Sequence, residues 1–159
     1  MLHLKLIALG TLKESYWREA VAEYQKRLGA YAKIELTELK ECRLPEAPAP
    51  AEIAAALEKE ADAILAAVPP RATLAALCVE GQQLSSEELA KKLEGVACTT
   101  GCLCLVIGSS HGLSPRVKAA AAWRLSVSKL TFPHQMMRVI LLETLYRSLS
   151  ILAGSKYHK

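Results

Sequence analysis

His134 and Arg138 lie four residues apart in the segment TFPHQMMR (131–138), so on a helix they share one face. Pro133 reads as a helix start, with His134 in the first turn. The positive end of a helix favours a neutral imidazole, and a neutral imidazole can accept a proton near neutral pH. A guanidinium one turn further on can steady a developing negative oxygen or hold a phosphate. Together they fit the removal of a weakly acidic proton beside an anion. A helix cap and a surface charge would show the same spacing, so the surroundings must decide.

A second stretch, VIGSSHGLSP (106–115), combines an apolar run, a Gly-containing turn and a helix start with Ser114 as cap and Pro115 behind it. Such a turn brings free backbone N–H groups to a ligand, and Gly108 lets that ligand approach closely. The stretch is neither a GxGxxG fingerprint nor a P-loop, because no GK[ST] follows.

These segments need elements to position them. Residues 2–10, 33–40, 72–81, 102–108 and 124–130 read as strands; 72–81 and 102–108 are continuous apolar runs of the fully buried kind. Residues 14–28, 51–68, 85–95, 114–123 and 133–152 carry helical spacing or helix boundary signals. Three prolines between 45 and 50 make a connector. The alternation predicts one α/β domain over 1–159, a mostly parallel sheet flanked by helices. Ligands of such sheets bind beyond the carboxyl ends of the strands. That places the site among three loops: 80–83, 108–112 and 131–134. The last helix is apolar on more than one side, from Met136 to Leu152, which predicts a homodimer with this helix in the interface.

Charge is uneven. Residues 1–99 hold 12 Lys/Arg and 15 Asp/Glu, a net −3; residues 100–159 hold 8 Lys/Arg and one acid, Glu143, a net +7. A basic C-terminal third points to a polyanionic partner, most simply nucleic acid. Five cysteines, an odd number, argue against a disulfide framework; Cys102 and Cys104 read as strand cysteines rather than metal ligands, and no metal is expected. Lys5 interrupts the apolar start, no cleavage site follows, and no apolar run spans a bilayer, so a cytoplasmic protein without a membrane partner is expected.

The segment LSVSKLTFPHQMMRVILLETLYRSLSILAGSKYHK (125–159), with LVIGSSHGLSP (105–115) and LCVEGQQLSSEELA (77–90), resembles the small SPOUT-class methyltransferases that modify large-subunit ribosomal RNA, the pseudouridine N3-methyltransferase group. The resemblance runs the length of the chain. It implies an alpha/beta-knot with a C-terminal trefoil knot, and a homodimer that acts on large-subunit rRNA or the ribosome. It implies S-adenosyl-L-methionine held largely by backbone groups at Leu77, at Gly108 and at Val127, Ser128, Lys129, Leu130, Thr131 and Phe132. It implies methyl transfer to N3 of a pseudouridine in a stem-loop, with His134 taking or relaying the proton and Arg138 assisting. The tail residues Tyr157, His158 and Lys159 match the family's RNA-contacting tail, and could act across the dimer. The chain departs from the family pattern at Ser109, where a second Gly is usual, at His111, and at Cys78, where Asp is common. A non-catalytic RNA-binding or ribosome-assembly module of the same fold is the competing reading, and a small-molecule enzyme of ordinary doubly-wound type a third.

Overall fold

The computed structural model describes residues 1–158. The elements follow one another as β1 (Leu2–Leu9), α1 (Ser15–Leu28), β2 (Ala32–Leu39), α2 (Pro50–Ala67), β3 (Thr73–Gln82), α3 (Ser86–Cys98), β4 (Cys102–Ile107), α4 (Pro115–Ala120), β5 (Trp123–Leu125) and α5 (His134–Leu152), with a single 3-10 turn at Lys156–His158. The strands form one sheet in the order β2-β1-β4-β3-β5, and every pair is parallel. The expected α/β alternation is therefore present, and helices cover both faces.

Strand periodicity of two divides the core. Leu2, Leu4, Leu6 and Ala8 of β1 face α1, α3 and α5, where Leu28, Leu93, Leu141 and Leu145 are buried. Ile7 and Leu9, with Cys104 and Val106 of β4, face α2 and α4, where Ala61, Ile64 and Val117 are buried. The central strands are thus apolar on both faces, which is why 102–108 reads as an unbroken apolar run. Burial pushes the Cys104 thiol up to about 12, so it stays protonated and apolar in character. The described residues contain no group of side chains placed to hold a metal ion, and no helix long and apolar enough to cross a membrane.

Three boundaries differ from those read in the sequence. Helix α3 continues past Gly95 because Val96 is still on the buried stripe. It stops instead at Thr99–Gly101, where Gly101 adopts φ +67° and its N–H reaches the Val96 carbonyl at 2.8 Å. Helix α4 ends at Ala120, and β5 is three residues rather than seven. After Leu125 the serines compete with the ladder for backbone partners. Ser126 Oγ donates to the Ser128 carbonyl at 3.0 Å, and the Leu130 N–H donates to Ser128 Oγ at 3.0 Å. Residues 126–130 therefore leave the sheet as a folded loop.

Strand β3 makes room for that exit. Its pairing with β5 jumps from Leu77 to Gln82, so residues 78–81 bow away from the ladder. Gly81 lies directly against the departing chain: a Cβ there would stand 2.6 Å from the Leu125 carbonyl carbon and 2.8 Å from the Ser126 nitrogen. By contrast a Cβ on Gly95 meets nothing within 4 Å. Gly81→Ala should cost about 1–3 kcal/mol because backbone must move. Gly95→Ala should gain about 0.5–1 kcal/mol in the helix interior. Urea denaturation of the two variants beside wild type checks both signs.

Candidate functional site

The carboxyl ends of β3, β4 and β5 enclose a cavity of about 600 Å³. Its walls come from the bowed segment of β3, the turn after β4, and the 126–134 loop that leads into α5. These are the three loops that the strand order singles out. Of the residues proposed for a cofactor, Leu77, Gly108, Val127, Ser128, Leu130, Thr131 and Phe132 line this cavity, and Lys129 does not. His134 lines it as well, half-buried at the start of α5. Pro133 gives α5 no side-chain cap.

The turn after β4 is tight. The Gly112 N–H donates to the Ser109 carbonyl at 2.9 Å, and Gly112 has φ +83°. A Cβ at Gly108 would fall on the Gly112 carbonyl, so only glycine fits. Helix α2 grips the turn from behind at both ends. At its exit, Ser114 Oγ donates to Glu58 Oε1 at 2.6 Å, while Arg116 bonds Glu58 Oε2 at 3.0 Å and Asp62 at 2.5 Å. At its start, Ser109 lies beside the carboxylate of Glu60, which accepts the Cys42 N–H at 3.2 Å. Glu60 is 5% exposed. Its position was legible: Ala56, Glu60 and Ile64 recur at helical spacing on the buried stripe of α2.

Arg138 is not where its spacing from His134 places it. It is 1% exposed, turned into the protein. One Nη donates to Glu38 Oε2 at 2.6 Å, and the other to the carbonyls of Gly10 at 2.7 Å and Leu9 at 3.2 Å. It does not line the cavity. A shared helix face fixes where a Cα sits, whereas a long side chain goes where unpaired carbonyls and a carboxylate are waiting. Arg138 is therefore a structural staple, and the role of anion holder does not fit it.

The tail is also placed differently. The Tyr157 hydroxyl donates to Glu143 at 3.1 Å, its ring packs edge-on to Tyr146 with centroids 4.8 Å apart, and the Arg147 guanidinium lies 4.9 Å from its centroid. Its ring is engaged rather than free for a base. His158 Nε2 sits 2.6 Å from Glu87 Oε1. Lys159 lies outside the described residues. Glu143 holds this corner: it also accepts from Arg147 at 2.8 Å, and together with burial it lifts Tyr24 to about 12. Glu143 stands nine residues along α5 from His134, roughly 14 Å at 1.5 Å per residue. Among the described residues, none of the tail lines the cavity.

Sequence reasoning missed Lys118. It lines the cavity and pairs with Glu80 at 2.6 Å. The signal was its place four residues after the Ser114 cap, which brings it over the first turn of α4.

Glu60 offers a test of how the turn is held. Burial is the largest influence and raises its pKa; Glu41 acts the same way, and the Cys42, Ser109 and His111 contacts only partly offset it. The fold thus prefers the neutral acid. Its contribution to stability is full below the pH at which the unfolded side chain ionises, and is lost as pH rises through the higher folded value. Glu60→Gln keeps the shape and an acceptor for the Cys42 N–H without the charge. Thermal melts should show variant and wild type matched at acid pH, with the variant gaining as pH rises towards neutral. A variant that is less stable at neutral pH would mean the carboxylate itself holds the turn.

Comparison with known proteins bears on what this cavity is. Two crystal structures of the SpoU methyltransferase AviRb from Streptomyces viridochromogenes, one in complex with the cofactor AdoMet, are similar to this chain at 13% and 14% identity. The matches cover 97% and 96% of this chain, with TM-scores of 0.48 and 0.46. The chain spans about three-fifths of those proteins, 59% and 61% of their length. A family model described as "Predicted SPOUT methyltransferase" matches residues 2–158. That match takes in every strand and helix around the cavity, and the chain belongs to the SPOUT methyltransferase family.

Proposed function

We propose that this protein is an S-adenosyl-L-methionine-dependent RNA methyltransferase whose target is N3 of a pseudouridine in a large-subunit rRNA stem-loop. One observation carries the reading: the cavity at the ends of β3, β4 and β5 joins a glycine turn, a rim of loop backbone and His134 at one place. Its residues fit the cofactor. The volume is in the range of small-molecule sites, at roughly 300–1,000 Å³. The wall offers Leu77, Leu113 and Val127 to an apolar ring system. Gly108 leaves the backbone bare where any side chain would collide with Gly112. When bound, the cofactor supplies an electrophilic methyl group.

The chain's own residues do the rest. Backbone at Gly108 and in the 126–132 loop orients the ligand. His134 accepts the N3 proton, directly or through water, because an imide nitrogen becomes a competent nucleophile only as that proton leaves. The anion-holding role must come from a group other than Arg138.

A homodimer belongs to the same proposal. Met136, Ile140 and Ile151 lie on one stripe of α5 and are only half-buried in the single chain, and Leu152 is exposed. A second copy packed there would also bring its tail, with Tyr157 and His158, towards this cavity. The C-terminal trefoil knot is part of the proposal too, on the resemblance alone, and so is the cytoplasmic setting expected from the sequence.

Calorimetry with S-adenosylmethionine should show binding to the wild type and none to folded Gly108→Trp. His134→Gln should leave that binding within about twofold, yet slow methylation of pseudouridine-containing large-subunit rRNA by roughly 100-fold or more. Absence of binding by a folded wild type would favour the non-catalytic RNA-binding module.

A further inference from the structure

Besides its serines, Thr131, His111 and His134, the cavity wall carries two side chains of opposite charge. Glu80, on the bowed segment of β3, and Lys118, in α4, face each other at the rim with Nζ and Oε1 2.6 Å apart. Among the described residues this is the one ion pair whose two members both line the cavity. Lys118 is anchored from behind: its N–H donates to the Ser114 carbonyl at 3.2 Å, and its own carbonyl accepts from Arg124 Nε at 3.2 Å. The Lys118 ammonium holds Glu80 below the ordinary carboxylate range. The two residues sit on elements that no ladder ties together at that point.

A ligand that enters here can separate them only by offering each a new partner. A lone cation or a lone anion would satisfy one and strand the other. A zwitterion satisfies both. We propose that Glu80 and Lys118 recognise the amino-acid end of the methyl donor, with Glu80 accepting its α-ammonium and Lys118 donating to its α-carboxylate. This rests on the cofactor reading above. The exchange is favourable on simple grounds. An exposed ion pair of this kind contributes little by itself, so opening it costs little. Two charge-assisted bonds replace one, partly out of water. The apolar inner wall then receives the nucleoside half, and the pair distinguishes ligands that carry the amino-acid end from those that lack it.

The test compares three ligands by calorimetry: S-adenosylmethionine, S-adenosylhomocysteine and 5′-methylthioadenosine, the last without the amino-acid end. Wild type should bind the first two more tightly than the third. Glu80→Gln and Lys118→Met should each weaken the first two by roughly five- to tenfold, leave methylthioadenosine unchanged, and so erase the preference. Lys118→Arg, which keeps the charge, should retain most of it. Equal losses for all three ligands, or none, would make the pair a structural tie between β3 and α4 and overturn the proposal. So would a Lys118→Met variant that weakens only RNA binding. A folded wild type that binds methylthioadenosine as well as the other two removes this inference and leaves the cofactor reading intact; one that binds none of the three removes both.

Discussion

A buried guanidinium fixes where the last helix begins. Arg138 joins the ends of β1 and β2 to the first turns of α5 through Leu9, Gly10 and Glu38. Strand ends in a parallel sheet leave carbonyls without ladder partners, and covered ones need a donor. Arg138 supplies two N–H groups in a rigid fork, which lysine could not. Without Arg138 the covered carbonyls of Leu9 and Gly10 would lose their donor, at about 1–3 kcal/mol for each buried group left unpaired. His134 is one turn away, so its place at the cavity is set by this staple rather than by anything in the cavity. The residue that looks catalytic by spacing is the one that holds the other in position.

Much of the architecture was legible. Five apolar strand runs alternate with helical spacing, and parallel topology then sends three loops to one edge. Boundaries were legible only where a cap or a glycine was decisive, as at Ser114. Gly95 looked like a helix stop, yet the stop is Gly101, because burial of Val96 outweighs the propensity cost of one glycine inside the helix. The alternating segment 124–130 looked like a strand, yet Ser126 and Ser128 satisfy its backbone locally. In each case a single residue's preference gave way to a contact far away or to a side chain competing for a backbone group. The cavity residues were legible as a group, since loop membership depends on topology. The direction of Arg138 and the docking of Tyr157 were not, since each depends on a partner more than ten residues away.

The basic C-terminal third reads differently in three dimensions. Arg116 pairs with Glu58 and Asp62, Lys118 with Glu80, and Arg138 with Glu38, all acids from the first half or middle of the chain. Arg147 pairs with Glu143. Much of the asymmetry is therefore one molecule's halves complementing each other, with α4 and α5 packed against acidic partners on α2, β2 and β3. Arg124, Lys129 and Lys156 form no ion pair among the described residues, and all three are exposed. An electrostatic footprint for RNA in this third of the chain has to be built from such residues.

The tail is held along the same helix that carries His134. Tyr157 is tied to Glu143, Tyr146 and Arg147 about midway along α5, while His134 and the cavity lie at its start. With Tyr157 held by these partners, no described tail residue lines the cavity of its own chain. In the dimer proposed above, α5 of one copy lies beside α5 of the other in opposite directions, so that each tail approaches the other's cavity. A two-fold axis across the half-buried stripe of Met136, Ile140 and Ile151 has that property, because an isologous contact pairs each end of a helix with the opposite end of its mate. The same packing would bring the exposed lysines of the two copies together and concentrate positive charge at each cavity, which neither chain achieves alone.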